Sequence, residues 1–484
     1  MVGDFRTFDD RLHRQFFKRE TGVSSPRVFS RRLSASQTLI KQIDSYGELS
    51  GHRGCVNAIE FNSTGELLIS GSDDKQVKLW DWARQKLKLS YSSGHVDNIF
   101  QTRFMPFTDD RVIVTSSADC QVRLSLLAEN GSVETKRLSK HQGRVHKLAV
   151  EPGSPHVFYS CGEDGFIQHY DLRSNSATKL FYCSSNSGQR WPTSSVGLNS
   201  IAIDPRNPNL FAAGGADRFA RVYDIRNYQI NASSKSGNLV ESFCPRQISG
   251  TPDTEKHITA LTYSNSSELL VSYNEELIYL FPRKSRRGSN LESSPTNDTD
   301  SDVSETDPQV YSGHRNARTV KGVSFFGPND EYVLSGSDCG HIFIWKKNSG
   351  ELVRMMVGDR HIVNQIESHP TIPILASCGI EKTIKLWSPS SDTVNPLPEN
   401  VEEIMEDNKL NMDDHSRLPL TPDVIMHVLQ LHRRQARVYI ERRHGNESDE
   451  DGDDDDDGGE AYLLGFSDGD PLDEGGNSRD CTIS

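Results

Sequence analysis

One unit, repeated with drift, constrains this chain more than any other feature. It reads Gly-His, an alternating apolar strand, a second strand ending in a small-residue turn with Asp, and a third strand ending in Trp or another aromatic. The fullest copy runs Gly51-His52, Val56 to Phe61, Leu67 to Ser70, Gly71-Ser72-Asp73-Asp74 and Val77-Lys78-Leu79-Trp80-Asp81. Registered on Trp80, the same place falls to Ser125, Tyr170, Tyr223, Phe281, Trp345 and Trp387, at steps of 45, 45, 53, 58, 64 and 42 residues. Periods of this length belong to stacked repeat architectures in which each unit contributes strands to a shared core. Seven units are counted, with insertions in the middle ones.

The unit resembles the WD repeat, and the resemblance implies an all-β fold: a seven-bladed WD-repeat β-propeller over residues 44–390. In that family a His before the first strand, a Ser or Thr in the second, an Asp in the turn and the Trp indole N–H link the strands of one blade. Here the set is His52, Ser70, Asp74 and Trp80, and the first three recur as His141, Ser160 and Asp164. Asp119 and Asp217 keep the turn acid, Glu275 and Glu381 substitute for it, and Cys339 stands there beside Asp338. A polar group inside a sheet stack costs roughly 1–3 kcal/mol if left unpaired, so these residues are expected to be structural and not catalytic. The last unit stops at Trp387 after three strands, while Tyr46 to Leu49 precedes the first without a partner. Pairing the two closes the ring and removes an exposed edge.

The flanks differ in composition from the repeats. Residues 1–43 carry nine Lys/Arg against four Asp/Glu. Phe5, Phe8, Leu12 and Phe16 recur at helical spacing, as do Ala35, Leu39, Ile40 and Ile43 behind Ser34 as an N-cap. Two short amphipathic helices are expected, seated either on their own propeller or on a partner. Residues 283–308 open with Arg283, Lys284, Arg286 and Arg287 and continue in Ser, Thr, Asp and Glu, which predicts a disordered insertion. In the 391–445 extension, Thr421-Pro422-Asp423 marks a helix start, and Val424, Val428, Leu431 and Val438 give it an apolar seam over about 421–441. The formal net charge is -14, but residues 447–484 alone hold 15 Asp/Glu and one Arg. The body is therefore neutral, and 446–484 is expected to be a disordered acidic tail, solvated or meeting basic partners such as histones.

The chain ends Cys481-Thr482-Ile483-Ser484, which is similar to a C-a-a-X box and makes Cys481 a candidate farnesylation site. One lipid gives only marginal membrane contact. No run of 18 apolar residues occurs, and the start has no apolar signal core, so a soluble protein of nucleus and cytoplasm is expected. The eight cysteines lie far apart without zinc-type spacing, so neither metal nor cofactor is expected, and most should be reduced and buried.

Two third strands end alike, Tyr170-Asp171-Leu172-Arg173 and Tyr223-Asp224-Ile225-Arg226. This doublet resembles the one in WD-repeat substrate receptors of cullin-4 ubiquitin ligases, the DCAF family. The Gly-His-Arg-Gly-Cys-Val-Asn opening at residues 51–57 further resembles the type-eight branch. The likeness spans about 44–400, plus an N-terminal helical segment of the kind such receptors dock with. It implies a non-enzymatic subunit that binds the adaptor, the damage-specific DNA-binding subunit, through Asp171, Arg173, Asp224 and Arg226, and through it cullin-4. Other loops would present a protein target for ubiquitination, with no direct contact to nucleic acid. The alternative is a general WD-repeat scaffold, for instance in chromatin. No Ser/His/Asp order, phosphate loop or metal cluster remains for an enzyme once the repeat residues are placed.

Overall fold

The computed structural model describes residues 14–174, 176–183, 195–227, 239–250, 256–283, 307–391 and 393–413. Seven four-stranded antiparallel sheets follow one another along these residues, each a blade of a β-propeller. Blade one is Val56–Phe61, Leu68–Ser72, Gln76–Asp81 and Lys86–Ser92. First strands of successive blades touch, and that of blade one also meets that of blade seven, so they line the axis of a closed ring.

Burial within a blade explains the residue choice along it. Leu68–Ser72 and Leu375–Gly379 are buried at every position and carry only apolar or small residues. The fourth strand Lys86–Ser92 is mostly exposed and correspondingly polar. Seven apolar clusters fill the seven seams between neighbouring blades. In the seam between blades two and three, Met105, Val114, Val122 and Leu124 meet Val145, Leu148, Phe158 and Tyr170. Each blade depends on both neighbours for its core, which is why the ring must close.

Closure is achieved by the strand expected for it. Ile43–Ser50 pairs antiparallel with Thr383–Pro389, Leu49 opposite Ile384 and Ser45 opposite Trp387. The fourth strand of blade seven thus comes from the start of the propeller and its other three from the end.

The described N-terminal segment packs on its own propeller. Helix α1 (Pro26–Ser34) is capped by Ser25, with Pro26 at its first turn, and the short α2 (Gln37–Lys41) follows. Ser34 is therefore not the N-cap that the sequence suggested. It closes α1, its hydroxyl donates to Thr371 O at 3.3 Å, and Ile43 already belongs to a strand. Ser30 donates to the same carbonyl at 3.0 Å, the Tyr332 hydroxyl donates to Ala35 O at 3.1 Å, and Ile40 is buried in the seam between blades six and seven.

Beyond the ring, a helix without a counterpart in the sequence reading, α3 (Val401–Asp413), lies on the blade five–six seam through Val401, Ile404 and Met405. The expected helix near 421–441, Phe5 to Leu12, the acidic tail, most of the 283–308 insertion and Cys481 fall outside the described residues.

Candidate partner-binding rim

In an antiparallel blade the first and third strands run the same way, so the loop after the first and the turn after the third emerge at one end. Leu172 N donates to His156 O at 2.9 Å and Ile225 N to Asn209 O at 2.8 Å, tying the two connections together in blades three and four. The third strands end at Asp171 and Asp224, and a turn in blade three and a 3-10 turn in blade four carry the rest of the motif. Tyr170 and Tyr223 are buried, Leu172 and Ile225 pack on the seams, and Arg173 and Arg226 face out, each over an Asp that is half-buried at 171 and buried at 224.

The two pairs share one geometry. Arg173 donates from Nε to Asp171 Oδ1 at 2.9 Å and from Nη2 to Oδ2 at 2.8 Å, and its backbone N–H reaches Oδ1 at 3.0 Å. For Arg226 and Asp224 the same distances are 3.0, 2.6 and 2.9 Å. Each Arg side chain is 65% exposed, although its partner Asp side chain is mostly covered. The hydrogen bonds and charge of Arg173 hold the Asp171 carboxyl at about 2. A fork fixed by its own aspartate has given up rotamer freedom already, while its outer N–H groups stay available to carboxylates or carbonyls. Arg226 also stands at the edge of a groove of about 940 Å³ between blades four and five, walled by Val240, Phe243, Tyr263 and Phe281.

Blade one holds a third pair that the Asp-x-Arg motif does not cover. Asp81 occupies the place of Asp171 and Asp224, and Arg84 reaches it with Nη1 on Oδ2 at 2.7 Å and backbone N on Oδ1 at 3.1 Å. The signal was present as Asp-x-x-Arg, one residue longer than the motif sought.

The opposite end carries the His networks. In blade one the Trp80 indole donates to Ser70 Oγ at 2.8 Å, Ser70 lies 2.7 Å from His52 Nε2, and His52 Nδ1 lies 2.9 Å from Asp74 Oδ2. Blade three brings His141, Ser160 and Asp164 together likewise, with the Tyr170 hydroxyl 3.1 Å from Ser160 in place of an indole. Blade two builds it from His95, Thr115 and Asp119. Blade four turns Asp217 onto Arg221, and blade six pairs buried Lys321 with Asp338. Burial works to raise the Asp74, Asp119 and Asp164 carboxyls, but His hydrogen bonds and charge with two backbone N–H groups hold all three below the usual range. Every oxygen of these acids is committed within the blade. Among the described residues no group of three His, Cys, Asp or Glu is placed to hold a metal.

These repeats and this ring define a seven-bladed WD-repeat β-propeller protein. The family model for the WD domain, G-beta repeat, matches residues 43–81, 306–346 and 350–388. Each match takes the outer strand of one blade with three strands of the next, the same offset that closes the ring. The chain is similar to the Arabidopsis thaliana protein ALTERED SEED GERMINATION 2, 37% identical over 51% of this chain and 37% of the relative. It is also similar to the human WD and tetratricopeptide repeats protein 1, 24% identical over 83% of this chain and 93% of the relative. The mouse DDB1- and CUL4-associated factor 6 is 31% identical over 55% of this chain and 31% of the relative. The chain thus spans about a third of the first and third of these proteins.

Proposed function

We propose that this protein is the substrate-recognition subunit of a cullin-4 RING ubiquitin ligase, docking on the adaptor through the rim that carries Asp171–Arg173 and Asp224–Arg226. The observation that carries the reading is the identity of geometry in adjacent blades: two forks, equally exposed, emerging at one end one blade apart. The relative named for association with DDB1 and CUL4 supports the same partner. A WD40 propeller of this kind is typical of non-catalytic binding proteins, so the chain's part is to hold a target and not to transform it. The His-bearing end, opposite the rim, is then the face left for the target protein.

A general scaffold is the second reading, favoured by the relative that this chain covers most fully, whose name states only its repeats. Titration of the purified full chain with purified adaptor in a calorimeter separates the two. A saturable one-to-one complex is expected of the receptor; no heat of binding leaves the scaffold.

A further inference from the structure

In blade two the loop after the first strand, residues 105–111, emerges at the same end as the Asp–Arg forks, between blade one with Arg84 and blade three with Arg173. Its shape is unusual. Phe107, Asp109 and Asp110 all have positive φ, at 58°, 52° and 57°. For a bulky residue this left-handed backbone is costly because Cβ crowds the carbonyl, and Gly or Asn would take it more readily. Phe107 nevertheless occupies it, and its ring is 79% exposed.

The loop is braced in this shape. Asn62 of blade one donates from Nδ2 to Asp110 Oδ2 at 2.7 Å, the Thr108 hydroxyl donates to Met105 O at 2.7 Å, and Arg111 N donates to Thr108 O at 3.0 Å. Leu127 N then donates to Arg111 O at 2.8 Å, tying the loop to the third strand, and Met105 is buried in the seam beneath it. A rigid loop that spends backbone strain to hold an aromatic ring in water has the form of a preorganised contact.

We infer that Phe107 is an apolar anchor of the adaptor interface, entering an apolar cavity on the same protein that receives Arg173 and Arg226. This rests on the receptor reading and adds a residue outside the Asp–Arg motif. The occupant follows from position: the ring lies on the rim of the forks, and aromatic and Arg side chains are the two residue types that most often dominate an interface.

The test is adaptor affinity of the full chain carrying Phe107→Asn, Phe107→Tyr, or Arg173→Ala with Arg226→Ala, each with a melting curve. Asn suits the left-handed backbone, so the Tm of F107N should equal or exceed wild type, while affinity falls about tenfold or more. F107Y should keep near wild-type affinity. If F107N binds as wild type while the double Arg variant does not, this inference is overturned and the receptor reading stands. If wild-type chain does not bind the adaptor, both fall.

Discussion

Cys339 stands in the turn of blade six where Asp74 stands in blade one, and the exchange rebuilds the network around it. His314, the counterpart of His52, is fully buried with no hydrogen-bond partner on either ring nitrogen among the described residues. Burial and the Lys321 charge push it down to about 4, so it stays neutral. The thiol is instead approached by Ser337 Oγ at 3.1 Å, His341 Nδ1 at 3.3 Å and Asn408 Nδ2 of α3 at 3.3 Å.

Burial alone would raise the Cys339 thiol, but these hydrogen bonds bring it down to about 7. Burial pushes Cys161 up to about 12 and raises Cys120 and Cys183, and the hydrogen bonds and nearby positive charges at these thiols do not offset it. Iodoacetamide at pH 7.5 should therefore alkylate Cys339 before Cys120, Cys161 and Cys183, since the thiolate is the reactive form. Peptide mapping over a time course checks this, and Asn408→Ala should slow the reaction. Faster labelling of Cys120 would contradict the assignment.

Acid should loosen the His networks in a defined direction. Asp74, Asp119 and Asp164 titrate lower in the folded chain than unfolded. Their stabilisation is therefore fully present above the ordinary carboxylate range, near 4, and is lost as pH falls through their folded values. Melting curves between pH 7 and 3 should be flat with respect to these groups until about pH 4 and then fall. Asp74→Asn should lower stability at neutral pH and flatten part of that acid limb; an unchanged limb in the variants of all three acids would contradict the account.

Trp80→Ala removes a ring that is 2% exposed together with the donor to Ser70. A loss of about 3–5 kcal/mol is expected from the cavity and the lost indole hydrogen bond. Denaturant titration measures it, and a loss under about 1 kcal/mol would mean that the seam between blades one and seven does not depend on this ring.

What could be read in advance was whatever repeats. The seven places registered on Trp80 are seven third strands, and the partnerless Tyr46–Leu49 became the closing strand because an unpaired edge is visible in a pattern of fours. Asp171, Arg173, Asp224 and Arg226 were legible as a matching doublet at the ends of two third strands, and the turns that follow those strands carry both Arg outward. Arg84 was not, since one extra turn residue moved it out of the motif while the backbone returned it to the same carboxylate. Ser34 misled because its neighbours suit an N-cap, and only the Thr371 carbonyl of a distant blade decides what its hydroxyl does. The left-handed loop at Phe107 carries no Gly to announce it, and its form depends on Asn62 in another blade.

In the receptor reading the exposed forks bind the adaptor. The measurement is calorimetric affinity for the purified adaptor, comparing wild type with the Arg173→Ala, Arg226→Ala double variant, alongside melting curves of both. Each interface Arg of this kind is worth about 2 kcal/mol or more, so the pair should weaken binding roughly a thousandfold. The melt should hardly move, because exposed ion pairs contribute only about 0–1 kcal/mol to folding. Adding Arg84→Ala should weaken binding further. Lost affinity with an unchanged melt is the predicted result; full affinity in the double variant would contradict the account.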